Sequence, residues 1–299
     1  MRKITDEWKS DIEDAAAAEL LGNLPPAVAE KDVHITDALR ELATISVSHT
    51  AFRQTAEKGD RRPARLQVHS KLVFSGGTCL SKAHGLIERM SEDIDIKLML
   101  DDVPDGYALP KGQSERARLG DVHRQVLEKL QNIGFTLTEV EGEDNPTSKD
   151  SRRYHRLSVG YTPEFPDPAG ILRAQLKVEL ICRPPKLALE VLPMGYMLDQ
   201  FVGRASDTFD MSCISVAETL AEKVLSLLRR CAWYWGGHQR GAFDTALVRH
   251  VYDVWRIQTV MPDVIEAARG HFDEWVQKDI LEFRGQNEEF DAEPYRVLR

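Results

Sequence analysis

The chain has 299 residues, 42% of them hydrophobic, and a formal net charge of −9. That length and apolar content can bury a full core in one large domain or two smaller ones, and they exclude a disordered or fibrous chain. The acidic balance argues against a broad basic surface for nonspecific nucleic-acid binding, and leaves only local grooves to the 39 Lys and Arg residues. The cysteines Cys79, Cys182, Cys213 and Cys231 lie far apart without C-x-x-C spacing. Neither a zinc site nor a disulfide framework is expected, and a reducing cytoplasm is the simplest setting. The stretch from Met1 to Asp6 lacks an apolar signal core, and no run approaches the roughly 18 apolar residues of a membrane span, so no membrane association is expected.

Residues 7 to 47 read as helical: an acidic, Ala-rich stretch around Ala15 to Ala18, a break at Pro25-Pro26, then Val28 to Ile45 with Ile35, Leu39 and Leu42 at helical spacing. The turn-rich Lys58-Gly59-Asp60-Arg61-Arg62-Pro63 sets a boundary, giving a helical N-terminal region over 1–65 and a central domain over 66–205. A strand at Lys71 to Phe74 leads into Gly76-Gly77-Thr78, which opens a helix. The two glycines let the backbone approach an anion closely, Thr78 is the expected N-cap, and the free amides of the first helical turn supply donors and a positive dipole end. Then comes Ser91-Glu92-Asp93-Ile94-Asp95-Ile96-Lys97-Leu98-Met99-Leu100. At a two-residue period this puts Asp93, Asp95 and Lys97 on one strand face and Ile94, Ile96, Leu98 and Leu100 on the other.

Asp101 to Gln113 reads as a loop, and Glu115 to Ile133 as a helix with Leu119, Val122, Val126 and Leu130 inward, ended by Gly134. Arg156 to Tyr161 and Leu172 to Ile181 read as strands. In the second, Leu176, Val178 and Leu180 point inward and Lys177 and Glu179 the other way, so Glu179 is either a third acid beside the first two or half of an ion pair with Lys177. The remainder, 206–299, is expected to be helical. Ser215 and Glu218 form a capping box for a helix whose stripe is Val216, Leu220, Val224, Leu227 and Leu228, with Lys223 on the stripe's border. A further helix over Asp244 to Ile257 turns Leu247, Val251, Val254 and Trp255 inward and keeps Asp253 on its polar side, where Arg249 is a possible i−4 partner. Trp233-Tyr234-Trp235 reads as a packing plug at a helix end, with base stacking as its alternative.

The run from Phe74 to Lys82 together with Arg89 to Ile96 resembles the first motif of the AbiEii/AbiGii-type nucleotidyltransferase toxins, members of the DNA polymerase β-like nucleotidyltransferase superfamily. Val28 to Thr36 resembles a helical element of that family. Ala221 to Arg230 and Arg249 to Asp253 are similar to its later lysine and aspartate motifs, except that Arg249-His250 stands where Lys-Asp is common. The resemblance implies an α/β (α+β) fold, a mixed sheet flanked by helices with a helical preface and a helical C-terminal region. It also implies catalytic roles for Asp93, Asp95, Lys223 and Asp253, and nucleotide binding by Gly76, Gly77, Thr78, Ser81, Lys82 and Ser91. Mg²⁺ or Mn²⁺ would be held by Asp93, Asp95 and Glu179, and an NTP would be the substrate.

The activity so implied moves an NMP from the NTP onto an RNA, with tRNA the expected acceptor, in a cytoplasmic protein that is the toxin half of a bacterial toxin–antitoxin or phage-defence pair, a cognate antitoxin being a possible partner. Arg61-Arg62-Arg65, Arg152-Arg153 and Arg229-Arg230 are the basic patches available for RNA. Two alternatives stay open: a nucleotide-binding regulator with little turnover, and transfer to a protein or small molecule.

Overall fold

A computed structural model describes residues 1–54, 64–142, 144–167, 170, 172–238 and 242–299. The turn-rich segment 58–63, with Arg61 and Arg62, lies outside the described residues. The chain forms two units, one made of Met1–Ala83, Met90–Pro185 and Glu190–Cys213, the other of His84–Arg89, Lys186–Leu189 and Ile214–Arg299.

The first unit begins with α1 (Asp6–Ala17), N-capped by the Thr5 hydroxyl, and α2 (Pro26–Ala43), which starts with proline at a helix position where its missing N–H costs nothing. It continues through β1 (Val47–Arg53), β2 (Arg65–Ser75), α3 (Gly76–Lys82), β3 (Asp93–Leu100), β4 (Tyr107–Ala108) and α4 (Glu115–Asn132). Then come β5 (Thr136–Leu137), β6 (Thr147–Lys149), β7 (Tyr154–Gly160), β8 (Gln175–Ile181), β9 (Glu190–Met194), α5 (Met197–Val202) and β10 (Phe209–Cys213). The strands form one mixed sheet with the path β4-β1-β2-β3-β8-β7-β5, and β10 joins β2 and β9 beside it. The pair β3–β8 is parallel and its neighbours β2–β3 and β7–β8 are antiparallel.

The expected mixed sheet flanked by helices is the architecture observed. Strand β3 has the bounds its alternation predicts, and Ile94, Ile96 and Leu98 are fully buried. Leu176, Val178 and Leu180 of β8 and Leu157 and Val159 of β7 join them, covered by Ile35, Leu39 and Leu42 of α2 and by Leu119, Val122, Val126 and Leu130 of α4. One sheet face thus carries the apolar core, which leaves the polar face of β3 and β8 for chemistry.

The second unit holds α6 (Val216–Trp235), α7 (Val248–Val260), α8 (Val264–Gly270), α9 (Phe272–Glu282), α10 (Glu288–Ala292) and α11 (Pro294–Val297). The Ser215 hydroxyl caps α6 at the Glu218 amide, as expected, and the Glu218 carboxylate accepts from the amides of Lys186 and Leu187. The buried side of α6 runs through Ala217, Leu220, Ala221 and Leu225, while Leu228 is exposed. Leu247, just before α7, is buried as expected, but along α7 itself Val251 and Trp255 are exposed and Asp253 is fully buried, against the expected facing. Arg229 is likewise no free surface charge. It is buried, binds Asp279 at 2.9 Å and lies over the Phe283 ring. Trp233 packs edge-on against Phe283 and Phe290, as a plug should, whereas Trp235 is exposed.

Candidate active site

The end of β2, the short helix α3 and the start of β3 are stitched together by side chain to backbone bonds. The Ser75 hydroxyl donates to the Asp95 carbonyl at 3.0 Å, and the Thr78 hydroxyl donates to the Asp93 carbonyl. Thr78 therefore lies inside α3 and is not its N-cap; Ser75 holds that position without a side-chain cap bond. The helix starts earlier than expected, and Gly76 at its head has φ +77°, a conformation other residues rarely take. A Cβ at Gly76 would also lie 2.0 Å from Asp95 Oδ2. Only glycine lets this bend come so close to the carboxylate.

The parallel register makes Asp95 and Glu179 direct Cα partners, and Asp93 the partner of Lys177. Paired residues on neighbouring strands project to the same face, so the three carboxylates share one surface. Glu179 Oε1 accepts from the Tyr154 hydroxyl at 2.9 Å and pairs with Lys177 Nζ at 2.9 Å. The same ammonium stands 3.6 Å from Asp93 Oδ2. Burial would lower the Lys177 pKa, but the neighbouring charges of Asp93, Glu179 and Asp95 raise it. Burial and the Glu179 charge push the Tyr154 phenol up, so it remains a donor. The sequence reading placed Lys177 only as a rival explanation for Glu179, and it missed Tyr154. The β7–β8 register, which sequence spacing does not reveal, places Tyr154 within reach.

Among the described residues no group of three or more His, Cys, Asp and Glu side chains is arranged to hold a metal ion. The donor set nonetheless fits a hard divalent cation, since all three acids offer oxygen. The Lys177 ammonium marks a position where a positive charge is met by Asp93 and Glu179 together.

Ser81 donates to the Thr78 carbonyl at 3.1 Å, and Lys82 is turned toward α2, where it pairs with Asp32 at 2.6 Å. Asp32 is held in turn by the Met197 amide at 2.7 Å. Ser91 is half-buried, two residues before β3.

In the second unit Lys223 and Asp253 meet. Asp253 accepts from Arg89 Nε at 2.8 Å and Nη2 at 2.6 Å, and Lys223 Nζ lies 2.8 Å from its Oδ2. Burial alone would raise the Asp253 pKa, but hydrogen bonds and charge from Arg89 and Lys223 hold it below the usual carboxylate range. This explains the reversed face of α7: two cations make the buried carboxylate tolerable, and no pairing with Arg249 is needed. Burial and the nearby Lys223 and Arg230 charges lower His250 to about 4, so it stays neutral near pH 7.

The sequence profile of the family described as nucleotidyl transferase AbiEii toxin, Type IV toxin–antitoxin system, matches residues 62–299. The helical element at Val28 to Thr36 lies outside that match. Among solved structures the chain is similar to MenT4, a nucleotidyltransferase toxin from Mycobacterium tuberculosis. The identity is 22% over 83% of this chain and 71% of that one, with a TM-score of 0.40. A search of curated proteins gives no match.

Proposed function

Because the chain belongs to the AbiEii family of nucleotidyltransferase toxins of type IV toxin–antitoxin systems, we propose that it moves an NMP from an NTP onto the acceptor end of a tRNA. Asp93, Asp95 and Glu179 would hold Mg²⁺ or Mn²⁺ for this reaction. The observation that carries the reading is the pairing of Asp95 with Glu179 across β3–β8, directly beside the Gly76 bend.

A bound divalent ion supplies Lewis acidity at the α-phosphate and neutralises charge on the departing pyrophosphate. The protein's own part is to position and to neutralise. Gly76 and Gly77 leave backbone amides open to the β- and γ-phosphates, since the first N–H groups of a helix have no intrahelical partner. Thr78 and Ser81, bonded to nearby carbonyls, fix the bend in shape. Lys82 adds positive charge from its ion pair with Asp32, and Ser91 lines the approach to the two aspartates. Glu179 serves the side from which the acceptor hydroxyl attacks. Lys223 and Asp253, paired with each other in the second unit and with Arg89 beside them, keep the catalytic roles that the family resemblance gives them.

Family membership implies a cognate antitoxin, and we assign the toxin to phage defence. We place the reaction in the cytoplasm. Among the described residues no helix is long and apolar enough to cross a membrane.

Incubation with each of four α-labelled NTPs and total RNA tests the reading. The expected result is label on a tRNA-sized band with stoichiometric pyrophosphate release. Label migrating with protein or a small molecule would reassign the acceptor, and binding without pyrophosphate would leave a nucleotide-binding regulator instead.

A further inference from the structure

Lys177 has no part in the reaction scheme above, yet it stands at its centre. As the Cα partner of Asp93 and the i−2 neighbour of Glu179, it shares their face of the sheet. Its ammonium spans the two carboxylates, 2.9 Å from Glu179 Oε1 and 3.6 Å from Asp93 Oδ2. The Tyr154 hydroxyl donates to that same Oε1 at 2.9 Å. Two donors thus converge on one oxygen of Glu179 and fix the orientation of the carboxylate.

Three like charges on one strand pair repel one another, and one ammonium among them offsets much of that repulsion. A lysine suits this position because its compact charge rides on a flexible four-carbon stem and can leave without moving the backbone. The Lys177 side chain is 31% exposed, so it has a path toward solvent.

We propose that Lys177 is a resident counter-ion: it holds the carboxylate face together before metal arrives, and a divalent cation must displace it from between Asp93 and Glu179. Lys177 thereby sets the affinity of the site for metal. This inference rests on the reading that the three acids bind a divalent ion.

The test is Mn²⁺ titration by calorimetry, without nucleotide, on the wild-type chain, Lys177→Met and Lys177→Arg. Removing the competing charge should tighten Mn²⁺ binding about tenfold in Lys177→Met. Lys177→Arg, which keeps the charge, should bind no tighter than wild type. Equal or weaker binding by Lys177→Met overturns the inference while leaving the metal reading standing. Absence of Mn²⁺ binding in all three proteins overturns both.

A second measurement uses the unaltered protein and does not depend on the folding of a variant. Acetylation of Lys177 by acetic anhydride, followed by mass spectrometry, should accelerate several-fold when Mn²⁺ is added, because the amine is expelled from its carboxylates. An unchanged or slower rate contradicts displacement.

Discussion

The Gly76 backbone and the Asp95 carboxylate are in direct contact, so close that a Cβ at Gly76 would fall 2.0 Å from Asp95 Oδ2. Gly76→Ala must therefore push Asp95 out of line as well as strain a backbone at φ +77°. The strain costs about 1–2 kcal/mol. A displacement of roughly 1 Å at a catalytic group costs about 10²-fold in rate. Initial rates alongside urea melts should show a large activity loss with a modest stability loss, and unchanged activity would remove Asp95 from the site.

Asp253 is buried between Arg89 and Lys223. Asp253→Ala strands both cations, and breaking a buried pair by removing one partner costs about 3–5 kcal/mol. The exposed Arg256–Glu88 pair in the same unit is a control, since Glu88→Ala should change stability by less than about 1 kcal/mol. Denaturant unfolding measures both; equal effects would deny the buried triad its structural weight.

Tyr154→Phe removes one of the two donors to Glu179 Oε1 and little else. Outer hydrogen bonds that orient a metal-binding carboxylate are worth about 10-fold or more in activity. The predicted result is a fall in kcat of that size with KM for the NTP unchanged. A change confined to KM would mean that Tyr154 acts on substrate binding instead.

His123 on α4 and His155 on β7 stack with ring centroids 4.1 Å apart. Burial first, then repulsion between the two and from Arg152, lowers His123 from 6.5 to about 3, and burial and Arg152 lower His155 to about 4. The unfolded chain takes up protons below about pH 6.5 that the folded chain refuses until about pH 4, so stability must fall across that interval as pH drops. Melting midpoints from pH 7 to pH 4 should decline in the wild type, and His123→Phe, which preserves a stacked ring, should flatten the decline. An identical slope in both proteins would contradict the assignment.

The sequence revealed most where a single period governs. The strict alternation in Asp93 to Leu100 located β3 and its two faces, and Leu176, Val178 and Leu180 did the same for β8. Other strands escaped notice because pairing, rather than pattern, makes them: β5 and β4 are two-residue strands held by β7 and β1. The face of α7 was misread because periodicity assigns a carboxylate to water. What buries Asp253 is the arrival of Arg89 and Lys223 from distant sequence, a long-range event. Thr78 was misplaced for a local reason, since the helix begins three residues sooner, with Ser75 as its N-cap and a positive φ at Gly76. The position of Lys177 between two acids required the β3–β8 register, which nothing in the spacing supplied.

The central claim is that the carboxylates of β3 and β8 carry the transfer. Its most direct test compares the wild-type chain with Asp95→Asn, which removes a metal-holding charge but no core contact, in transfer of label from an α-labelled NTP to total RNA. Circular dichroism and melting should be the same for both proteins, with labelled RNA and pyrophosphate from the wild type and neither from Asp95→Asn. Equal transfer by the variant would contradict the account.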